Sequence, residues 1–244
     1  IDQIITFFKE QDALYLYKDK WHLKKEKLHN LPENITTLLV ARIDRLSYQV
    51  KEIVKVASVI GQRFDVELLT LLKDNVILPL KQAEEKQIWK IIMLIEGIFK
   101  HNLLRDAAYN MQLKARLRQL HEVIANTIED LYVEVIDSKY ADLAYHYQLS
   151  ENNAKAIYYF EKAAVYEKNQ YHNEKAVELF SSLLNLLQKK GNDRKRQINA
   201  LFLKGNVLLI IGRWEEAKEA FLFALQLATA TNNGLLMGEA NRKI

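Results

Sequence analysis

The sequence predicts a mostly α-helical protein with short β-hairpins in its first half and an α–α solenoid in its second half. The 244 residues include only 2 Pro and 7 Gly, so long helices are permitted and a turn-rich β-sandwich is disfavoured. Apolar residues recur at spacings of three and four along much of the chain, which is typical of amphipathic helices. From about residue 138 small and aromatic residues recur at fixed offsets, which indicates structural repeats.

The composition excludes several classes of protein. Hydrophobic residues make up 49% and charged residues 27%, so the chain is globular rather than disordered. It has no Cys, which excludes disulfides and thiolate metal sites and fits a reducing cytoplasm. No apolar run reaches membrane-spanning length, and we expect a cytoplasmic protein without membrane contact. The net charge is +4, but the basic clusters are matched by nearby acids, so we do not expect nucleic-acid binding.

The first half begins with elements of mixed type. Residues 1–11 have the apolar spacing of the last turns of a helix. Residues 13–23 alternate around the polar turn Lys18-Asp19-Lys20, which predicts a β-hairpin. Pro32 with Glu33 then suits a helix start. We expect both ends of the chain to continue in a longer protein, with the final repeats truncated after residue 244.

The next residues predict a winged helix. Two amphipathic helices are expected at 33–46 and 48–60, and Asp65 is a plausible N-cap for a short helix through Leu72. Another helix is expected at 78–87. Residues 88–100 then predict a second hairpin, because β-branched residues surround the turn expected at Glu96-Gly97.

Three of these four helices, followed by the β-hairpin, give the outline of a winged helix, so we predict a winged-helix-like domain at residues 32–101. Residues 102–137 are expected to form a long connecting helix. Its apolar stripe runs at spacings of three and four from Leu113 to Leu131.

Residues 138–244 contain a repeated pattern of small and aromatic residues. One set of four such residues begins at Ala164, and a second set with the same spacing begins 41 residues later at Gly205. A third set, which begins at Ala144, also fits this spacing, so the exact register of the repeats stays open. Small residues are needed where the two helices of a hairpin approach closely. The pattern is that of divergent tetratricopeptide (TPR) repeats, with Gly212-Arg213-Trp214 as the turn of the later pair. The three sets are Ala164, Ala176, Phe180 and Leu183; Gly205, Ala217, Phe221 and Ala224; and Ala144, Ala156, Phe160 and Ala163.

Three stretches precede the TPR-like repeats in a specific order. The first is Leu-Pro at 31–32 with Ala-Arg-Ile-Asp-Arg-Leu at 41–46. The second is Ala-Ser-Val-Ile-Gly-Gln-Arg-Phe at 57–64. The third is Phe-Lys-His-Asn-Leu-Leu-Arg-Asp-Ala-Ala-Tyr at 99–109, with residues 116–121 after it. Together they resemble the region after the ATPase core in AAA/STAND-type signalling ATPases. The resemblance covers most of residues 1–190 and is strongest to large bacterial proteins with an adenylate/guanylate cyclase domain, an AAA-type ATPase and TPRs.

The resemblance implies that residues 1–31 are the end of an ATPase lid region with a short hairpin. In such proteins the ATPase module is a nucleotide-controlled switch, and the repeats receive a protein or other signal. This chain has no G-x-x-x-x-G-K-[ST] phosphate loop and no recognisable cyclase domain with paired metal-binding aspartates. We therefore expect a fragment that is not an enzyme and holds no cofactor, whereas ATP or ADP binding would belong to the full-length protein.

The resemblance also makes His101 the best single candidate for a cofactor contact. In related switch ATPases a winged-helix histidine touches the phosphates of the bound nucleotide and holds the off state. His101 is predicted at a strand-to-helix junction, from which it would reach an ATPase domain. The alternative, which we favour, is a structural histidine that caps the helix or packs at a domain boundary.

Two charged clusters have the same two interpretations. Arg42, Asp44 and Arg45 would form a salt-bridge network between their helix and its neighbours, or would take part in nucleotide sensing. Arg105 and Asp106 follow His101 within about one turn and have the same alternatives. In both clusters a structural role is the favoured interpretation.

Two further patterns have structural interpretations. His121-Glu122 begins like the zinc-protease motif H-E-x-x-H, but Ala125 stands in place of the second histidine, so no metal site is predicted. A tyrosine-rich segment would form either an aromatic cage for a ligand or, more commonly, helix-packing residues with hydrated hydroxyls. Its members are Tyr140, Tyr145, Tyr147, Tyr158, Tyr159, Tyr166 and Tyr171.

Three functions are compatible with these sequence patterns. The first is a regulatory and interaction module, whose concave TPR-like face binds a protein, a peptide or another domain of the same chain. The second is a winged-helix DNA-binding regulator, although the recognition helix expected at 65–72 has no Arg or Lys. The third is a fragment of a nucleotide-dependent enzyme whose catalytic residues lie elsewhere. The sequence favours the first.

Overall fold

A computed structural model gives the fold of the chain, which divides into two compact units, Ile1–Leu120 and His121–Ile244. Both units are mostly helical, as predicted. None of the described helices is long and apolar enough to cross a lipid bilayer. The helix expected at residues 1–11 and the helix start expected at Pro32 lie outside the described residues. The residues that the structure describes are 14–17, 20–23, 35–190, 193–230, 237, 238 and 242.

The predicted first hairpin is confirmed. Its strands are β1 (Leu14–Tyr17) and β2 (Lys20–Leu23), which pair antiparallel with Tyr17 opposite Lys20. Lys20, which was expected in the turn, is therefore the first residue of β2. A two-residue connection is the commonest way to join antiparallel neighbours.

The helices of the first unit lie close to their predicted positions. Ser47 and Asp65 cap two of them: the Ser47 hydroxyl accepts from the N–H of Val50, and the Asp65 carboxylate accepts from two N–H groups of the first turn. The prediction that Asp65 caps a short helix ending at Leu72 is confirmed. In chain order the elements are α1 (Ile35–Asp44), α2 (Tyr48–Ile60), β3 (Arg63–Asp65), α3 (Val66–Leu72), α4 (Ile77–Glu85), β4 (Trp89–Ile92), β5 (Glu96–Phe99), α5 (Asn102–Asn110) and α6 (Lys114–Leu131), which continues past the end of the first unit at Leu120.

The strands β3, β5 and β4 form an antiparallel sheet in that order. β4 and β5 are the predicted second hairpin, but the expectation that it turns at Glu96-Gly97 is wrong. Gly97 lies within β5, opposite Phe64 of β3 and Ile91 of β4. A Cβ at Gly97 would lie 2.1 Å from Cζ of Phe64. The glycine therefore makes room for an aromatic ring and not for a turn.

Three aromatic rings form the centre of the first unit's core. Phe64, Trp89 and Phe99 are all buried and meet edge to face, with centroid distances of 5.0, 5.7 and 5.5 Å. The indole N–H of Trp89 donates a hydrogen bond to the carbonyl of Leu80 at 3.0 Å. This bond satisfies the buried indole and ties the sheet to α4.

The long helix expected over residues 102–137 is interrupted. α5 ends at Asn110, α6 begins at Lys114, and a 3₁₀ helix (Val133–Lys139) follows. Between α5 and α6 the buried amide of Gln112 donates to the carbonyl of Lys55 in α2 at 3.1 Å. Leu113, the first residue of the expected apolar stripe, is exposed in this break. A tertiary hydrogen bond thus accompanies a break that the apolar spacing did not reveal.

The second unit contains long antiparallel helices joined by short turns. Two of the turns end in the same way, with a residue of positive φ, Tyr171 or Gly212, followed by an N–H that bonds the carbonyl five residues earlier. This is the Schellman pattern, and it satisfies carbonyls at a helix C-terminus. The expected turn at Gly212-Arg213-Trp214 is confirmed. The helices are α7 (Tyr140–Leu149), α8 (Asn153–Asn169), α9 (Asn173–Lys190), α10 (Arg194–Ile210) and α11 (Trp214–Ala230).

The repeated small residues lie where the sequence pattern requires them. Ala156, Ala176 and Ala217 are completely buried, each near the start of the second helix of a hairpin. Gly205 of α10 lies under the ring of Phe221, since a Cβ there would be 2.5 Å from that ring. The second unit is therefore an α–α solenoid of TPR-like hairpins, as predicted.

Candidate functional site

A groove of about 410 Å³ runs between α8 and α10 in the second unit. α8 and α10 form its walls, and two side chains of α9 reach its floor. In a helical solenoid the first helices of successive hairpins line a shared face. Its lining residues are Tyr158, Glu161, Lys162, Val165, Phe180, Leu183, Arg196, Asn199, Ala200 and Leu203.

The groove supports one choice of repeat register. Its two walls are the helices that contribute Ala164 and Gly205, the leading small residues of the copies 41 residues apart. Pairing α8 with α9 and α10 with α11 places both first helices at the groove. α8 also fits the template as the second helix of a pair with α7, which explains why the sequence left the register open.

The floor of the groove is apolar. Phe180 and Leu183 of α9 are almost completely buried, and Ala200 of α10 is buried beside them. The small Ala200 side chain leaves space at the centre of the wall. Such a floor accommodates apolar side chains of a ligand, whereas orientation is set by polar groups at the edges.

The edge of the groove is charged. Glu161 of α8 lies 3.7 Å from the guanidinium of Arg196 on α10, which also pairs with Asp193 at 3.3 Å. Burial raises the pKa of the Glu161 carboxyl above its usual value; Arg196 opposes this rise and Asp193 adds to it. Arg196 and Asn199 are exposed, so both present donors to a molecule entering the groove.

Lys162 stands over two tyrosine rings at one end of the groove. Its Nζ lies 5.7 Å from the ring centroid of Tyr158 and 6.0 Å from that of Tyr140. The hydroxyl of Tyr140 has its pKa raised to about 12 by a hydrogen bond with Asp137, together with burial. A lysine of the chain itself therefore occupies the position that a cationic ligand would take in an aromatic cage.

The other tyrosines contribute to helix packing. The carboxylate of Glu129 accepts from Tyr159 at 2.5 Å and from Lys155 at 2.7 Å, and the ring of Tyr147 stacks on that of Tyr159. Burial acts to raise the pKa of Glu129, but the hydrogen bonds outweigh it and the pKa lies below its usual value. Burial and Glu129 raise the pKa of both tyrosines. These groups tie α6, α7 and α8 together through one polar network.

His101, the main candidate predicted from the sequence, does not line this groove. His101 lies at the predicted junction between β5 and α5. Its side chain makes no capping hydrogen bond, whereas its carbonyl accepts from the N–H groups of Leu104 and Arg105. His101 therefore occupies the N-cap position of α5, as the structural interpretation expected, but it does so through its backbone and not through its side chain. A contact to nucleotide stays a prediction.

Arg105 and Asp106, the neighbours of His101, form an ion pair of 3.1 Å. Nε of Arg105 also donates to the carbonyl of Ser58 at 2.8 Å. That carbonyl belongs to the last turn of α2, where helix carbonyls lack intrahelical partners. Arg105 therefore links α5 to the end of α2, which is a structural role.

The predicted network of Arg42, Asp44 and Arg45 is divided among different partners. Arg42 is buried and donates to the carbonyl of Lys86 at 2.6 Å, beyond the end of α4. Asp44 pairs with Lys51 of α2 at 2.9 Å. The exposed Arg45 follows α1 directly. The first two contacts connect α1 to separate neighbours, as the structural interpretation expected.

His121, the first residue of the rejected zinc motif, has a partner that the sequence did not indicate. It is buried, and its Nδ1 lies 2.8 Å from Nδ1 of the buried His146 on α7. One ring nitrogen must donate and the other accept, so the two rings have opposite protonation at these atoms. Among the described residues no group of three or more His, Asp or Glu is placed to hold a metal ion.

The sequence did not predict this groove, although Tyr158 belongs to the tyrosine-rich segment and Phe180 and Leu183 belong to the repeat pattern. A further signal was present in the spacing of the lining residues. Tyr158, Lys162 and Val165 are spaced by four and three on α8, and Arg196, Ala200 and Leu203 repeat that spacing on α10. Such spacing places residues on one helix face. The pattern becomes informative only when the two helices are known to be adjacent.

Comparisons with known proteins give limited information. No family model matches the chain, and no curated protein matches it significantly. Eleven chains of solved structures match. One is a STAND protein (signal transduction ATPase with numerous domains) with a tetratricopeptide-repeat sensor from Pyrococcus horikoshii, at 14% identity and a TM-score of 0.35. The match covers 87% of this chain and 49% of that one, so the chain spans about half the length of that protein.

Proposed function

We propose that this chain is a non-catalytic, regulatory and protein-interaction part of a larger bacterial signalling protein, a STAND ATPase or an adenylate/guanylate cyclase. Its TPR-like repeats act as a sensor or scaffold that binds a polypeptide segment in the groove between α8 and α10. The segment belongs to another protein or to another domain of the same chain. The observation that carries this proposal is the combination of an apolar floor with a charged edge.

The chemistry of the groove suits a peptide better than a small polar metabolite. Phe180 and Leu183 offer apolar contact for one or two side chains of a ligand. Asn199 has both a donor and an acceptor for a peptide backbone. Lys162 favours a carboxylate, whereas Arg196 already pairs with Glu161 and Asp193. The groove is open along the helices, so an extended or helical segment can enter it.

We expect a bulky residue in the groove to abolish peptide binding. Position 199 is exposed on the wall, so Asn199→Trp fills the groove without disturbing the core. Peptides selected from a random displayed library on the wild-type chain would be labelled and measured by fluorescence polarisation. We expect their affinity for Asn199→Trp to fall at least about tenfold, about 1.4 kcal/mol.

The matched control is Glu219→Trp, which adds the same side chain at an exposed position of α11 away from the groove. Its affinity for the selected peptides should equal that of the wild type. Equal binding by both variants would place the peptide site elsewhere. A failure to select any peptide would remove the support for peptide recognition by the isolated chain.

For the first unit we propose a winged helix that contacts protein and not nucleic acid. The order α2, β3, α3, α4, β4, β5 and the sheet order β3–β5–β4 support this fold. In this arrangement the recognition helix is α4 and not the segment 65–72 that the sequence suggested. α4 exposes Ile77 and Leu78 with Lys81, and the hairpin tip is apolar, so few groups suit phosphates or base edges.

The alternative, a DNA-binding regulator, makes a different prediction in a titration of the chain with a short DNA duplex, ATP and ADP. Without a phosphate loop, and with apolar residues on α4, we expect no calorimetric signal from any of the three at moderate salt. Salt-sensitive duplex binding would favour the alternative. Nucleotide binding that is lost in His101→Ala would support the nucleotide-sensor role of His101 in this chain.

Three further expectations belong to this proposal. The chain is not an enzyme, it requires no cofactor, and it works in the cytoplasm. The absence of a phosphate loop and of cysteine from the sequence supports them.

A further inference from the structure

The tip of the β4–β5 hairpin is apolar and exposed. It consists of residues 92–95, Ile-Met-Leu-Ile, and Met93, Leu94 and Ile95 have 87%, 58% and 65% of their surface exposed. Four consecutive apolar residues at a protruding turn are unusual on a soluble surface, where single exposed apolar residues are normal. Contact with another molecule is the usual reason for such a tip.

The backbone of this tip is held in an unfavourable conformation. The N–H of Ile95 bonds the carbonyl of Ile92 at 2.9 Å, and the two residues between them, Met93 and Leu94, have φ of 50° and 57°. Positive φ at both central positions is the signature of a type I′ turn, which strongly prefers Asn-Gly. The chain keeps two bulky apolar residues where a polar, unstrained pair would suffice, and such strain clusters at functional positions.

The same unit contains an apolar groove that this tip does not line. It has a volume of about 520 Å³, and its lining residues are Gln49, Asn75, Ile77, Leu78, Pro79 and Lys81. We call it the α4 groove. Ile77 and Leu78 are exposed there, so the groove offers apolar contact to a side chain that enters it.

The charges around the tip and the α4 groove are complementary. The N–H of Val66 donates to the carbonyl of Ile95 at 2.9 Å, which places the acidic neighbours Asp65 and Glu67 beside the tip. The charged residue that lines the α4 groove is Lys81. Glu96, the next residue after the tip, is neutralised by its ion pair with Arg63, so the acidic collar consists of Asp65 and Glu67. These two carboxylates beside an apolar projection match the basic group at the α4 groove.

We propose that the chain associates with a second copy of itself in a head-to-tail manner, with Met93 and Leu94 of one copy inserted in the α4 groove of the next. The acidic collar disfavours nucleic acid and anionic lipid as occupants, since both are negatively charged. This inference is independent of the peptide-binding groove in the second unit. One hairpin tip buries little surface compared with a stable dimer, so the association is expected to be weak, with a dissociation constant on the order of 10–500 µM.

The experiment is sedimentation velocity of the whole chain from about 10 µM to about 1 mM, with two variants. Met93→Asn/Leu94→Gly replaces the two central residues of the tip with the Asn-Gly pair that a type I′ turn prefers. The variant lacks the apolar projection, and its melting temperature should equal or exceed that of the wild type. Leu78→Glu places a negative charge in the α4 groove at an exposed position, where it would repel the acidic collar. We expect the wild type to associate with concentration and each variant to remain monomeric.

Mixing the two variants distinguishes this geometry from other forms of association. The mixture holds one intact tip and one intact groove per pair, so it should form 1:1 dimers and nothing larger. A wild type that stays monomeric to 1 mM would overturn the proposal. So would association that persists in Met93→Asn/Leu94→Gly, or a mixture that remains monomeric.

Discussion

Replacing Gly97 by alanine is expected to destabilise the first unit by about 3 kcal/mol, because the new methyl group overlaps a buried ring. The added Cβ would lie 2.1 Å from Cζ of Phe64, and Phe64 is held on its other sides by Trp89 and Phe99. The ring therefore has little freedom to move away. Urea unfolding followed by tryptophan fluorescence measures the effect, since Trp89 is buried in this core.

A control and a suppressor make this prediction specific. Gly238→Ala makes the same chemical change where nothing lies within 4 Å, so its midpoint should be unchanged or slightly higher. Phe64→Leu alone should lower the free energy of unfolding. In a protein that carries Gly97→Ala it should lower that free energy by less, because the smaller leucine side chain provides room for the new methyl group. Additive effects of the two substitutions would contradict the packing explanation.

Replacing Phe221 by alanine is expected to cost about 3–5 kcal/mol in the hairpin formed by α10 and α11. Phe221 has 1% of its surface exposed, and its ring covers Gly205 and lies 6.2 Å from the ring of Phe202. Removing the ring leaves a cavity beside Gly205, which has no side chain that could fill it. In a solenoid each hairpin contacts mainly its neighbours, so the loss should be local. Hydrogen exchange should show faster amide exchange in α10 and α11 first.

Phe223→Ala is the matched control on the same helix. Phe223 has 37% of its surface exposed, so the same truncation there should cost less than about 1 kcal/mol. Equal losses at the two positions would show that Phe221 is not the packing residue that holds α11 to α10. Faster exchange spread evenly over the first unit would contradict the local character of the change.

The two proposed surfaces have different physical characters. The groove between α8 and α10 combines apolar floor residues with Arg196 and Asn199, so it can orient a polar backbone as well as bury side chains. The hairpin tip at residues 92–95 is wholly apolar and can only insert into another apolar site. A ligand of the groove therefore need not affect self-association, and the two can be measured separately.

Several local features could be predicted from the sequence because their causes are local. Asp65 caps α3 because a carboxylate two and three residues before backbone N–H groups satisfies them wherever the helix lies. Gly212 ends a helix because glycine adopts positive φ without strain. The alanines near the starts of α8, α9 and α11 predicted the solenoid, because close contacts between helices exclude larger side chains at regularly spaced positions.

Other features were decided by residues far apart in the chain. Gly97 was expected in a turn because glycine is common there, but the ring of Phe64, 33 positions earlier, occupies the space over it. The break before α6 accompanies a hydrogen bond from Gln112 to the carbonyl of Lys55. The candidate site itself exists only because α8 and α10 lie side by side with α9 beneath them. The sequence by itself thus determined most of the elements and their repeat, since these depend on neighbours within a few residues. The tertiary structure alone decided which side chains meet, because that depends on how the elements pack.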